Sequence, residues 1–463
     1  MRALVVSPAG EPREVPAAEL EHETERAAAG LAERGVGRGD VVLVRLPKGL
    51  EWLLAMRALW RLGAVALPCP HQLTAADVRE RAERSDAVLE LLEAADLPLA
   101  DAPPPPPIDA VDSDPAFLLF TSGTEGPPKG ALHTRSYVHA NLLQTERWMG
   151  VRAGDRVWCT AGAGWSKSLR NVWLAAELTG AQAVVHEGRF DAAERLELIE
   201  RLAPQVLCMS PTEYRMCARA AGFGDRPLPS VREAVAAGEA LDGPTVDRWR
   251  DAYEIQVRDG YGQTETGAVA GILAGEAAPP GSMGHPLPGV QVRVDRGELT
   301  VAAGSLPTLF AGYWHDPHAT ADRLRDGWWH TGDLVRQDAD GLLWYEGRRD
   351  DVISSSGYRI GPAEVEAALA THPAVLECAA IGLPDPERGQ IVHVDVVLRE
   401  GWTPGPELAD ALRAHARTAT APYKAPRSLR FVSGLPHTAT GKLRRSDVRR
   451  AAVDAGPEQI IRW

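Results

Sequence analysis

Residues 117–130 read FLLFTSGTEGPPKG. An apolar run breaks into Thr121, Ser122, Gly123, Thr124, Glu125, Gly126, two prolines and Lys129. Glycines let a backbone approach an anion, hydroxyls and N–H groups donate to phosphate oxygens, and a lysine adds a point charge. The order suits a polyphosphate cradle, and an exposed turn shares its composition. It is not a Walker A loop, because Gly123 and Gly126 are three apart and Pro-Pro separates Gly126 from Lys129.

Four later segments could meet such a ligand. Asp259, Gly260, Tyr261, Gly262, Gln263, Thr264, Glu265, Thr266 and Gly267 follow a strand pattern over 255–258 and read as a loop. Loops at the carboxyl ends of parallel strands form ligand sites in open α/β sheets. Tyr261 offers a π-face to a purine, and Glu265 a hard oxygen to Mg2+ beside phosphates. A surface turn is the alternative. Gly238, Glu239 and Ala240 follow another strand pattern, and residues this small admit a flat ring or simply pack closely. Asp333 and Arg348 stand at the outer ends of two strands joined by Asp338, Ala339, Asp340 and Gly341, which is hairpin-turn chemistry. Together they can face one ligand. A carboxylate that accepts from vicinal hydroxyls suits a ribose, and a surface ion pair fits equally. Residues 438–442, TATGK, present Lys442 on a loop, where a solvated charge is the plain alternative to a reagent.

The elements that must position these residues follow from periodicity. Helices are predicted over 17–34, 51–62, 74–82 (Thr74 as N-cap), 134–149, 189–202 and 245–253, and strands over 41–46, 65–67, 155–159, 182–186, 206–209, 234–237 and 255–258. Strand, helix and strand at this spacing make βαβ units and a parallel sheet. From residue 290 short strands and turns replace this rhythm, and after Asp350 a small α+β unit follows, with helices over 362–371 and 407–417. Five prolines, 103–107, predict an extended connector leading to the first loop.

Composition sets limits. At 463 residues the chain holds two or three compact units. A net charge of −13 and the lack of any densely basic stretch disfavour nucleic acid as a partner. Five cysteines with no C-x-x-C spacing argue for a reducing, cytoplasmic setting without a zinc site or disulfide framework. The most apolar helix candidate carries Arg57 and Arg61, so no membrane span is expected, and the first residues lack a secretory pattern.

Taken together, TSGTEGPPKG, YGQTETG, GWWHTGD, GRRDDVISSSGYRIGPAEVE and TATGK, in this order, resemble the adenylate-forming superfamily of acyl-CoA synthetases, luciferases and peptide-synthetase adenylation domains. The resemblance is nearest to the medium-chain acyl-CoA synthetases, with acetyl-CoA synthetases further off. GWSKS around Trp165, SPTEYRM, LPDPERGQ and TAPYKAPR add to it, over about residues 39–449.

The resemblance implies an α/β fold. A large N-terminal AMP-binding domain, 1–349, would combine βαβ subdomains with a small β-barrel-like part, and a small mobile α+β domain, 350–463, would turn about a hinge at Asp350. It implies that a carboxylate attacks the α-phosphate of ATP, and that coenzyme A then displaces AMP. Thr121, Ser122, Gly123, Thr124, Glu125, Gly126 and Lys129 would cradle the β and γ phosphates. Gly238, Glu239, Ala240, Asp259, Gly260 and Tyr261 would hold adenine, with Gly262 and Gln263 in the same nucleotide-binding run. Thr264 would contact the α-phosphate and acyl carboxylate, Glu265 the Mg2+, and Asp333 with Arg348 the ribose. Lys442 would bridge carboxylate and phosphate, where a cation offsets the repulsion of two anions. Rotation of the small domain would replace it with Ser356, Gly357 and Tyr358 along the pantetheine, with Arg359 at the phosphate and Arg388 and Arg417 near the coenzyme A nucleotide. Ala370, His372 and Val375 match a cation site of acetyl-CoA synthetases, or a plain helix end.

Trp165, Gly238 and Gly262 would line the acyl pocket, and glycine where acetyl-CoA synthetases carry tryptophan leaves room for a medium-chain, branched or aromatic acid. The partners expected are that acid, ATP and coenzyme A, with a homodimer compatible. Three departures stand out: an N-terminal part shortened relative to the family, a short 291–308 region lacking the usual hairpin loop, and Glu125 inside the phosphate loop. Two rivals stay open: transfer of the acyl group to a carrier protein or amine, and, from the shortened N-terminal part, a degenerate nucleotide-binding relative.

Overall fold

A computed structural model of the chain describes residues 1–6, 11–106, 108–121, 128–239, 241–356, 358–437 and 443–463. Among them run four sheets. The largest has nine strands in the spatial order His285–Pro286, Gly267–Gly271, Val257–Gln263, Glu233–Ala237, Val206–Met209, Arg156–Cys159, Gln182–His186, Arg2–Val6 and Arg13–Val15. From Val257–Gln263 to Arg2–Val6 every pairing is parallel, as the βαβ rhythm predicts. A second sheet of six orders Gly312–Tyr313, Gly130–Thr134, Pro115–Phe120, Val65–Pro68, Val41–Val44 and Leu89–Leu91. The helices Ala17–Glu33 and Leu50–Leu62 pack on each other, and one apolar core joins their buried faces to both sheets. Thr74 caps the helix Ala75–Ser85 as expected, its hydroxyl accepting from the Asp77 N–H at 3.2 Å while Asp77 Oδ2 accepts from the Thr74 N–H at 2.9 Å.

The third sheet is antiparallel: Val292–Asp295, Glu298–Ala302, Trp328–Gln337 and Leu324–Arg325, with Leu343–Arg348 also on Trp328–Gln337. The fourth comprises Ile353–Ser355, Tyr358–Ile360, Val375–Asp385, Gly389–Leu398, Ser428–Phe431 and Ile461–Arg462, beside the helices Pro362–Ala370, Pro406–Ala419 and Arg445–Asp454. Its two core clusters draw only on residues from Ile353 onward. No helix of the described residues is long and apolar enough to cross a membrane.

Several expectations need correction. The segment from Asp259 to Gln263 is strand, not loop. It lies between Glu233–Ala237 and Gly267–Gly271, and ladder hydrogen bonds on both sides override the poor strand propensity of its glycines. The strand at whose outer end Asp333 was expected starts earlier, at Trp328, so Asp333 lies within Trp328–Gln337. Gly130–Thr134 is a strand antiparallel to Pro115–Phe120, so the helix predicted from 134 begins at Ser136 and winds as π-helix over Gln144–Trp148. The short 291–308 region does form a hairpin, Val292–Asp295 with Glu298–Ala302. Its two turn residues, Arg296 and Gly297, have φ of 51° and 84°, the positive pair that a two-residue hairpin turn needs. Residues 103–106 of the proline run are irregular, as expected, and Pro107 lies outside the described residues.

Candidate active site

The strand Val257–Gln263 carries the site. It can lie where it does only because two positions lack a side chain. A Cβ on Gly260 would come 2.4 Å from the Trp148 ring, and one on Gly262 would come 2.0 Å from the Gly267 carbonyl oxygen. Tyr261 and Gln263, two apart, project to one face. Both reach Asp333, the tyrosine hydroxyl donating to Oδ2 at 2.5 Å and Gln263 Nε2 to the same oxygen at 2.6 Å. Asp333 is the register partner of Arg348, whose Nη1 donates to Oδ1 at 3.0 Å. Asp333 is 5% exposed. Burial works against the Arg348 charge, but Asp333 outweighs it and holds the guanidinium above its ordinary pKa. Burial, and then the Asp333 charge, push the Tyr261 phenol far up, so it stays a donor. Three donors leave Asp333 about one lone-pair direction, on Oδ1, for a ligand hydroxyl.

A second cluster joins Lys129 to Glu265. The Tyr313 hydroxyl donates to Glu265 Oε1 at 2.7 Å, and Lys129 Nζ stands 5.2 Å from the centre of the Tyr313 ring. Tyr313 pairs through its backbone with Ala131, on the strand that leaves the loop, and the Glu265 carbonyl accepts from the Phe310 N–H at 2.8 Å. Burial, then Glu265, raise the Tyr313 pKa. Thr121 donates its N–H to the Lys129 carbonyl at 2.8 Å. His133 ties the loop's far strand to the turn over 264–266, its Nε2–H donating to the Thr264 carbonyl at 2.9 Å. Because that acceptor is a carbonyl, the proton sits on Nε2. Burial, reinforced by Arg170, pushes the His133 pKa down to about 3, so the ring stays neutral. Tyr313 and His133 went unremarked in the sequence, where neither has a motif of its own.

Asp259 is buried and its carboxyl is pushed up to about 8 by burial, while Oδ1 accepts from the Gly260 N–H at 2.9 Å. Glu239 Oε2 accepts from Thr212 at 2.7 Å and Arg215 at 3.1 Å. A cavity of about 440 Å3 opens beside these residues, and Trp165, Gly238 and Gly262 line it together. The glycine at 262 therefore has a reason other than room for an acid, because the space its side chain would take is filled by the Gly267 backbone.

In the fourth sheet Arg388 Nη1 donates to Ser356 Oγ at 2.8 Å, and Ser356 returns its N–H to the Arg388 carbonyl at 2.9 Å. Tyr358 is 53% exposed and stacks on Tyr423 at 4.4 Å. Arg417 lies on an exposed face of Pro406–Ala419, and no described hydrogen bond joins it to Ser356 or Arg388. The His372 carbonyl accepts from the Val375 N–H at 3.1 Å, closing the turn after Pro362–Ala370 at the positions that match a cation site. Ser122, Gly123, Thr124, Glu125, Gly126, Ala240, Gly357 and Lys442 lie outside the described residues, as do the side chains of Asp350 and Arg359.

The family model described as AMP-binding enzyme matches residues 2–103 and 90–314, and that of the AMP-binding enzyme C-terminal domain matches 364–442. The chain is 37% identical to the uncharacterized acyl-CoA ligase YtcI of Bacillus subtilis (strain 168), over 93% of this chain and 89% of that one. It is 33% identical to the mitochondrial acyl-coenzyme A synthetase ACSM3 of Mus musculus, over 89% and 80%. Among solved structures it superposes on the anthranilate CoA ligase AuaEII in complex with anthranoyl-AMP with a TM-score of 0.88 and 27% identity, covering 97% and 94% of the two chains. A benzoate CoA ligase from Burkholderia xenovorans LB400 gives 0.86 and 25%, covering 96% of each. The chain belongs to the AMP-binding, adenylate-forming enzyme family.

Proposed function

We propose that the turn over 264–266 is where an acid's carboxylate meets the α-phosphate of ATP, within an acid–CoA ligase. The chain carries out ATP-dependent ligation of a carboxylic acid to coenzyme A, forming AMP. The observation that carries the placement is Tyr313, which stands between Lys129 and Glu265 and so brings the phosphate-loop lysine and the metal carboxylate to one point from two different sheets. Thr121, Lys129 and the loop between them hold the departing pyrophosphate, and Thr264 orients the α-phosphate, its carbonyl pinned by His133. Asp333 takes the ribose with Arg348 beside it, and Gly238 and the backbone over 259–261 face adenine.

A Mg2+ ion that arrives with a nucleotide needs only one or two protein carboxylates, phosphates and water filling the rest. Glu265, one oxygen of which is held by Tyr313, fits that role, and the described residues contain no larger cluster of metal-ligating side chains. When bound, the ion neutralises charge on the phosphates.

Lys442 is assigned the bridge between carboxylate and α-phosphate. One site cannot hold that lysine and admit a thiol at once, so residues 350–463 turn about Asp350 between half-reactions and bring up Ser356, Gly357 and Tyr358, with Arg359, Arg388 and Arg417 toward coenzyme A. The separate core of the fourth sheet supports a body able to move this way. The five unpaired thiols support a cytoplasmic setting, and assembly as a homodimer rests on the resemblance alone. The reading is tested by incubating a panel of acids with ATP and coenzyme A. AMP and a thioester are expected, and ADP in place of AMP refutes it. Lys442→Ala should abolish adenylate formation yet still convert a supplied acyl-adenylate to thioester, and equal loss of both steps would refute the rotation.

A further inference from the structure

The cavity beside the 264–266 turn is not an apolar slot. One part of its wall comprises Gln144, Trp148, Lys167, Arg170 and Asn171. Arg170 is 8% exposed. Among the described residues it has no ion-pair partner. Its Nη2 makes one long donation, to Ser166 Oγ at 3.4 Å, and its Nε is buried with no partner. The groups that face it are neutral: the His133 ring, and the Tyr137 hydroxyl, which shares a side-chain hydrogen bond with it. A buried guanidinium without a counter-charge is costly unless an anion comes to it.

The wall that holds it is fixed. Gln144 Nε2 donates to Asn171 Oδ1 at 3.0 Å, and Gln144 Oε1 accepts from the Ala268 N–H at 3.2 Å. Gln144 opens the π-helix Gln144–Trp148, and Arg170 and Asn171 sit on the π-helix Leu169–Leu174. Such widened turns recur at functional sites, where they aim side chains that a regular helix would misplace. A second cation, Lys167, is held on the same cavity by donation to the Ala237 carbonyl at 2.7 Å. The carboxylates on the cavity are engaged elsewhere: Glu213 with Arg195 at 2.9 Å, Glu239 with Arg215 at 3.1 Å, and Glu187 with the Lys48 N–H at 3.0 Å. None of them neutralises Arg170.

We infer that the acid activated by this chain carries a second carboxylate, and that Arg170 binds it, so that the substrate is a dicarboxylic acid. The inference rests on the acid-activating reading above. A planar guanidinium pairs with a carboxylate through two parallel hydrogen bonds, which Lys167 cannot reproduce. The medium-chain or aromatic acid suggested by the resemblance would leave Arg170 buried without a counter-charge.

The test is AMP formation with matched acids, glutarate against pentanoate and adipate against hexanoate. The dicarboxylate of a pair should be favoured at least about tenfold in kcat/KM, because a site built for a polar group rejects its apolar analogue. Arg170→Met should lower kcat/KM for the dicarboxylate roughly 100-fold and invert the preference within the pair, while Arg170→Lys recovers part of it. The inference is overturned if the monocarboxylate of each pair equals or exceeds its dicarboxylate in the wild type. It is also overturned if Arg170→Met lowers both members alike, which would place Arg170 at the reacting carboxylate. Should Arg170→Met fail to fold, the wild-type pairs and Arg170→Lys still decide. No AMP with any acid overturns the activation reading, and this one with it.

Discussion

His133 is a neutral histidine that the fold must keep neutral, and this has a measurable cost in acid. Burial and the nearby Arg170 push its pKa from 6.5 down to about 3. Between those values the unfolded chain binds a proton that the folded protein refuses, so the contribution is fully present above pH 6.5 and is lost as pH falls toward 3. From pH 7 to pH 5 the loss is about 2 kcal/mol, the slope approaching ~1.4 kcal/mol per pH unit once the unfolded histidine is fully protonated. Other groups act in the same range. His186 is pushed down to about 4 and adds a slope of the same sign. Asp259, pushed up to about 8, opposes them, since the folded state holds its proton where the unfolded chain has released it. The wild-type curve alone is therefore not diagnostic, but His133→Gln is. The glutamine amide can still donate to the Thr264 carbonyl, and the titrating group is gone. Urea unfolding followed by tryptophan fluorescence at pH 7 and pH 5 should give a wild-type-minus-variant difference that shifts by about 2 kcal/mol in favour of the variant at the lower pH. Loss of the 4.1 Å ring contact with Tyr137 offsets both measurements equally and drops out. A difference that stays constant to within about 0.5 kcal/mol would refute the neutral-histidine argument.

Three further substitutions probe the site. Tyr313→Phe removes one hydrogen bond to Glu265 and should raise the KM for Mg-ATP roughly 3- to 10-fold, measured as a shift in the Mg2+ dependence of adenylate formation; an unchanged dependence would contradict the placement of Glu265. Asp333→Asn keeps the shape but removes the charge facing Arg348, and ATP binding by calorimetry should weaken roughly 10- to 100-fold, whereas a change below about twofold would remove Asp333 from the ribose site. Gly262→Ala drives a Cβ toward the Gly267 carbonyl, and thermal unfolding should show about 1–3 kcal/mol of lost stability; a neutral result would mean that the hairpin yields there.

What was legible in the sequence was local. Asp333 and Arg348 were expected to meet because a hairpin turn at 338–341 sets the register of the strands on either side, and the two are indeed register partners. Thr74 and Asp77, three apart, carried their own capping signal. The contacts that complete the site are not local. Tyr313 reaches Glu265 across 48 residues and His133 reaches Thr264 across 131, and no periodicity records such pairs. The polar stretch after Arg258 looked like a loop because propensity was the only guide, and its burial between two neighbouring strands overruled that.

Gly262 is the more instructive case. Comparison with acetyl-CoA synthetases made it a measure of pocket room, which assumes that a side chain there would point into the space an acid occupies. The Gly267 carbonyl stands 2.0 Å from that side chain's first carbon, so the glycine answers to the close approach of two strands. Substrate selection must then come from residues whose side chains do face the cavity, and there the sequence offered only GWSKS, with Arg170 two residues past its end. An arginine on a helix reads as a solvated charge. Only its burial, its unpaired Nε and the π-helical turn that carries it mark it as the group that chooses the acid.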